Sequence, residues 1–172
     1  MSTLYEKYNT GDNDSTGILN VNWCCQTFTA ESDHTITSVK ILAYRIGTVS
    51  TLTAHIRATS SNVPTGEDVT SGTLDVSGLT TNTAGAWIEV PIASFNLANG
   101  VKYAIIFSIN DGTNQVRFRE NWPDGGYAGG GQVYSGDSGA TWGAASAVDV
   151  LFEVWGEEIT APSIKGAALL LA

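Results

Sequence analysis

LTAHIRA, residues 52–58, decides the fold class. Leu52, Ala54, Ile56 and Ala58 fall on one side of a pleated chain, and Thr53, His55 and Arg57 fall on the other. Side chains of a strand alternate between its two faces, so this is a half-buried antiparallel strand. The same period recurs outward in both directions. Gln26 to Thr29 is a short strand and Ile36 to Arg45 a longer one. Ile88, Val90 and Ile92 point inward, while Pro91, which lacks an N–H, marks an edge or a strand end. Val101 to Ile109 is the most apolar run and reads as a central strand. Asn110-Asp111-Gly112 follows as a hairpin turn. Val116, Phe118 and Trp122 then alternate with Arg117, Arg119 and Asn121, and Val148, Val150, Phe152 and Val154 close the set. Ser60 to Glu67, around Pro64-Thr65-Gly66, reads as a loop, and Thr73 to Val76 as a brief strand.

No segment has helical periodicity. About eight short strands without βα alternation predict an all-β, antiparallel, jelly-roll-like β-sandwich. The predicted organisation is an N-terminal extension (1–22), a sandwich domain (23–158) and a C-terminal tail (159–172) broken by Pro162 and Gly166. The tail ends in an apolar run, and Leu169, Leu170 and Leu171 need a neighbouring surface to cover them.

The 172 residues suit one domain. Charged residues are 15% of the chain against a usual share of about 25%, and Thr, Ser, Gly and Asn fill the gap. That surface is typical of extracellular or virion β proteins. The net charge of −9 argues against nucleic acid and against an anionic membrane, both of which need a basic patch. The N-terminus lacks the basic start and apolar run of a signal peptide. Cys24 and Cys25 are adjacent, and their side chains leave a strand in opposite directions. They read as one buried and one partly exposed thiol, with a strained vicinal or an intermolecular bridge as the alternative.

Sites of chemistry are sparse. Asp12 and Asp14 are spaced like the start of a calcium loop, but the twelfth position is Trp23 where a glutamate is needed. His34 and His55 read as solvated surface residues, with a metal pair as the weaker alternative. Neither a metal nor a cofactor is expected. SGDSGATW, residues 135–142, has the spelling of the Asp-box hairpin of sialidase propellers. Ser135, Asp137 and Gly139 are explained by the turn itself: an acceptor for backbone amides and a residue free to take positive φ. One copy, on a chain too short for a propeller, leaves no sialidase reading, and a non-enzymatic protein is expected. Trp122, Tyr127, Tyr134 and Trp142 surround the glycine-rich stretch, with Arg117 and Arg119 on an exposed face nearby. They are read first as packing, with Trp122 and Trp142 lying over the loop and covering the core edge; the alternative is a platform for a glycan or a partner, because aromatic faces stack on the C–H faces of sugars.

The segments Cys25 to Ala30, Thr35 to Ile41, Leu52 to Arg57, Val63 to Gly66 and Leu97 to Ile105 carry a resemblance. Their pattern, close to QTFT, ITSVK, LTxxIR, PTG and LxxGxxYxI, resembles the non-catalytic β-sandwich domains found in phage virion proteins and prokaryotic surface proteins, including choice-of-anchor domains. The resemblance runs from about Asn9 to Gly156. It implies no catalytic residues. It leads first to a structural virion protein, a capsid decoration or a head or tail surface component. Such a protein assembles as a homo-oligomer, and with other virion subunits, through its terminal segments. The alternative is a carbohydrate-binding or adhesion module of an extracellular or cell-surface protein.

Overall fold

The computed structural model describes residues 1–145 and 147–160. Thirteen strands form among them: β1 (Thr3–Tyr8), β2 (Asp14–Ile18), β3 (Trp23–Thr29), β4 (His34–Ile46), β5 (Thr51–Ser60), β6 (Val63–Asp75), β7 (Ala86–Leu97), β8 (Lys102–Ile109), β9 (Gln115–Asn121), β10 (Gln132–Ser135), β11 (Gly143–Ala144), β12 (Asp149–Val150) and β13 (Phe152–Glu158). There is no helix among the described residues, and every strand pairing is antiparallel. The fold is an all-β sandwich of a seven-stranded and a six-stranded sheet.

The six-stranded sheet runs β11-β10-β3-β8-β5-β6. β8 lies inside it, paired on both edges, as its apolar sequence requires. In the other sheet β4 carries β7 on one side and β13 on the other, β13 carries β1, and β9 carries β2. β7 pairs with β4 alone, so Pro91 sits on an edge strand, beside an irregularity in the ladder. The core fills the space between the sheets. The Phe107 and Phe118 rings meet across it at 4.8 Å, and Phe28 and Phe152 at 6.4 Å. All four are fully buried.

Outside the candidate site, the structure differs from the sequence expectation in four places. The 1–22 segment does not lie outside the sandwich, because β1 and β2 are integral strands of the seven-stranded sheet. The Ser60 to Glu67 loop is a hairpin instead. Ser61 and Asn62 take positive φ, as a two-residue turn demands, and Val63, Pro64 and Thr65 already pair with β5. The brief strand at Thr73 is the far end of the same long β6. Cys24 and Cys25 are both buried free thiols, one in the main core and one under the outer face of the six-stranded sheet. Burial pushes both thiols up.

The fourth difference is His34, which is fully buried and not solvated. Its Nδ1 is 2.9 Å from the Ser32 carbonyl, and its Nε2 is 3.5 Å from Oε2 of the equally buried Glu6 on β1. The Tyr5 ring stacks on the imidazole at 3.8 Å. Leu169, Leu170 and Leu171 lie outside the described residues.

Candidate functional site

Strand β8 builds the site from its alternation. Tyr103, Ile105, Phe107 and Ile109 enter the main core, which leaves Ala104, Ile106 and Ser108 on the outer face. That face is not plainly polar. Ala104 and Ile106 join Cys25 and Val133 in a second apolar cluster, with Trp23, Val63 and Trp142 packed against it.

The 135–142 hairpin brings Trp142 there. Ser135 Oγ donates to Asp137 Oδ1 at 2.7 Å and accepts from the Gly139 amide at 2.8 Å. Asp137 accepts from the Thr141 amide at 2.8 Å and from the Thr141 hydroxyl at 2.6 Å. The hydrogen bonds from Thr141 and Ser135 hold the Asp137 carboxyl at about 2. Gly139 has φ 83° and is wedged between two indoles: a Cβ there would lie 2.9 Å from the Trp23 ring and 3.3 Å from the Trp142 ring. Asp137→Ala is expected to free the Thr141 amide, speeding hydrogen exchange through the hairpin at neutral pH. The folded carboxyl titrates below its unfolded value of about 4, so its contribution is present above that pH and is lost as pH falls through about 2. Equal exchange in wild type and variant at pH 7 would refute this role.

A cavity of about 320 Å³ opens at one end of the face. The β5–β6 turn (Ser61, Asn62, Val63) forms one wall, and Gly130-Gly131 with Ala144-Ala145 forms the other. Thr27 and Val133 also line it, and Lys102 is the one ionisable residue among its described lining. The Lys102 ammonium donates to Asn62 Oδ1 at 2.7 Å.

At the other end stands His55. Its Nδ1 is 2.7 Å from Asp68 Oδ2 and its Nε2 is 2.9 Å from Ser108 Oγ. Arg57 Nε donates to Asp68 Oδ1 at 2.6 Å, and the Trp23 ring stacks on the imidazole at 5.6 Å. Burial pushes the Asp68 carboxyl up, but hydrogen bonds from Arg57 and His55 outweigh it and hold the group below the usual carboxylate range. His55 is therefore not a solvated surface histidine: its side chain is 15% exposed and both nitrogens are engaged.

The six residues of the candidate aromatic platform do not converge. Arg117 and Arg119 lie on β9 of the seven-stranded sheet, bound to Ser15 and Asp12 respectively. Trp122 follows them, 52% exposed, its amide donating to Asn13. Tyr127 packs edge-on against Phe152 at 5.2 Å and its hydroxyl is buried. The β10 register sets Tyr134 opposite Cys24, on the other face of the sheet from Val133 and Ser135. Trp142 alone of the six reaches the outer-face cluster. The glycine-rich stretch crosses from one sheet to the other between β9 and β10, so neighbours in sequence part in space. Trp23, Lys102, Asp68 and Ser108 were missed. Only the alternation at Thr53, His55 and Arg57 pointed to this face; the strand order that unites it has no local signal.

No family model matches the sequence, and no curated protein matches it. Solved structures do. One is the clostridial cysteine protease Cwp84 after propeptide cleavage, with TM-score 0.57 and 14% identity over 91% of this chain and 40% of that one. The likeness is one of fold. Another comprises the cysteine protease and lectin-like domains of Cwp84, a surface layer associated protein of Clostridium difficile. It gives TM-score 0.56 and 14% identity over 91% of this chain and 36% of that one. The chain thus spans well under half of either matched chain.

Proposed function

We propose that this chain is a carbohydrate-binding or adhesion module of an extracellular or cell-surface protein, and that it binds glycan along the outer face of the six-stranded sheet. The observation that carries the reading is the shape and lining of that face: a cavity of about 320 Å³ beside an apolar cluster carrying two half-buried indoles. Binding sites are concave and largely apolar, with a few placed polar groups that fix orientation. Trp23 and Trp142 offer flat apolar surface for the C–H faces of sugar rings. Asn62, Lys102 and Ser61 offer donors and acceptors to hydroxyls in the adjoining cavity. The likeness to a surface-layer associated protein with lectin-like domains supports the module reading, as does the hydroxyl- and amide-rich composition. The composition suits a virion protein equally, but the structural likeness lends the virion reading no support.

A glycan array followed by calorimetric titration tests it. The best array binder should lose about tenfold or more of its affinity with Trp142→Ala and with Lys102→Ala, about 1.4 kcal/mol each. Trp122→Ala, on the other sheet, should bind like wild type. An empty array, or a binder lost with Trp122→Ala and kept with Trp142→Ala, would overturn the reading.

A further inference from the structure

We propose that Ser108, His55 and Asp68 form an acyl-transfer centre on the outer face of the six-stranded sheet, with Ser108 as nucleophile toward carboxylic esters. Three adjacent strands, β8, β5 and β6, hold the residues side by side. Each link is within hydrogen-bond reach: 2.9 Å from Ser108 Oγ to His55 Nε2, and 2.7 Å from His55 Nδ1 to Asp68 Oδ2. The proton positions follow from chemistry. An ionised carboxylate can only accept, so His55 Nδ1 carries the hydrogen and donates it to Asp68. The Nε2 lone pair is then left to accept from the Ser108 hydroxyl, which is the tautomer a general base requires. Arg57 holds the second Asp68 oxygen, and Trp23 covers one face of the imidazole. The ring is thus fixed from two directions without being sealed, since His55 and Ser108 are both partly exposed.

The step balances with water as the co-reactant. Ser108 Oγ bonds to the ester carbonyl carbon while its proton passes to His55 Nε2. The carbon–alkoxy bond breaks, and His55 returns the proton to the departing alcohol, leaving an acyl-serine. Water then adds to that carbonyl, giving its proton to His55. The acyl–Oγ bond breaks, Ser108 regains the proton, and a carboxylic acid leaves. Ser108 sits opposite Thr53 of β5, and the β3 pairing ends one residue earlier, at Phe107, so the ladders supply no set of converging donors for an oxyanion at Ser108. Such donors are worth about 10²–10³ in rate, so acylation with slow turnover is expected. Asp68 acts through His55 and is a positioning residue. The centre does not depend on the glycan reading.

The test uses the whole chain. A fluorophosphonate probe should add the mass of one phosphonyl label per chain, with fluoride leaving, mapped by peptide sequencing to Ser108. Hydrolysis of p-nitrophenyl acetate should fall to the buffer rate in Ser108→Ala and His55→Gln. Asp68→Asn should lose about tenfold or more and should change the pH profile, because a carboxamide can donate to Nδ1 and reverse the tautomer. Trp122→Ala should hydrolyse like wild type. Label absent from Ser108, or a Ser108→Ala rate equal to that of wild type, would overturn the proposal. If Ser108→Ala does not fold, the labelling site on the wild-type chain decides by itself.

Discussion

Gly72→Ala is expected to lower the melting temperature by about 8–16 °C, the largest loss from a methyl added to any of the described glycines. A Cβ on Gly72 would lie 1.6 Å from the Pro91 carbonyl oxygen, 2.7 Å from its carbon and 3.2 Å from the Ile92 Cα. All three are backbone atoms, so no side chain can rotate away. β6 belongs to one sheet and β7 to the other, and Thr70 Oγ1 donates to the Ala93 carbonyl beside the same contact. Gly72 therefore sits where the two sheets close along one side. Overpacking typically costs about 1–3 kcal/mol when side chains can shift. Here two strands must part, and about 4 kcal/mol is the expected scale. For a domain of this length each kcal/mol is worth about 2–4 °C. Gly78→Ala is the control, because a Cβ there meets nothing within 4 Å. Circular dichroism melts of the two variants decide the matter: equal melting temperatures would mean that the seam is not close-packed.

The second large effect is set by pH. Glu6 is fully buried, and burial raises its carboxyl from 4.5 to about 7 in the folded protein. The Glu31 amide, 3.0 Å from Oε1, opposes that rise without cancelling it. Because the folded value lies above the unfolded one, stability linked to Glu6 is fully present below about 4.5 and is lost as pH rises through about 7. At 1.36 kcal/mol per unit, the loss is about 3 kcal/mol. His34 works in the opposite sense. Its burial lowers its affinity for a proton, so its contribution is present at neutral pH and is lost as pH falls below about 6.5. The Ser32 carbonyl can only accept, so His34 Nδ1 carries a hydrogen and Nε2 faces Glu6 as a lone pair. Nε2 and Glu6 Oε2 stand 3.5 Å apart, each buried without a hydrogen-bond partner, an arrangement that favours a neutral, protonated Glu6 over a buried carboxylate facing a lone pair. Glu6→Gln keeps a donor at that place and removes the titration. Between pH 5 and pH 8 the melting temperature of Glu6→Gln should therefore rise relative to wild type by about 6–12 °C. A difference that stays constant across this range would show that Glu6 is ionised throughout.

The same two residues explain where sequence reading stopped. LTAHIRA, the Ile88-Val90-Ile92 alternation and the apolar β8 were legible because apolar and polar residues sort onto opposite faces of a strand. Pro91 marked an edge because it lacks a donor. β1, TLYEKY, hid because its inward residue is Glu6, and a buried carboxyl reads as a surface charge until His34 is seen beside it. The β5–β6 hairpin hid because Ser61 and Asn62 made a turn without the glycine that usually signals one. The candidate platform failed for a related reason: the stretch after Trp122 crosses between sheets, so Trp142 reached one face while Arg117 and Arg119 stayed on another.

Chain-local physics therefore settled the fold class. Side-chain alternation with period two has one stable outcome when one face is apolar, and turn residues mark where it pauses. It also settled the 135–142 turn, whose Ser135 and Asp137 side-chain hydrogen bonds span four residues or fewer, although the Ser138 amide reaches out to the Val21 carbonyl. The outer face of the six-stranded sheet was decided only in three dimensions. His55, Asp68 and Ser108 lie on three strands whose adjacency depends on sheet order, and the β5–β6 bulges bring Asp68 opposite Arg57, two residues along β5 from His55. Trp23 and Trp142 meet over Gly139 because β3 and β10 pair. Strand pairing is a long-range choice governed by the packing of the whole core, and no window of sequence contains it.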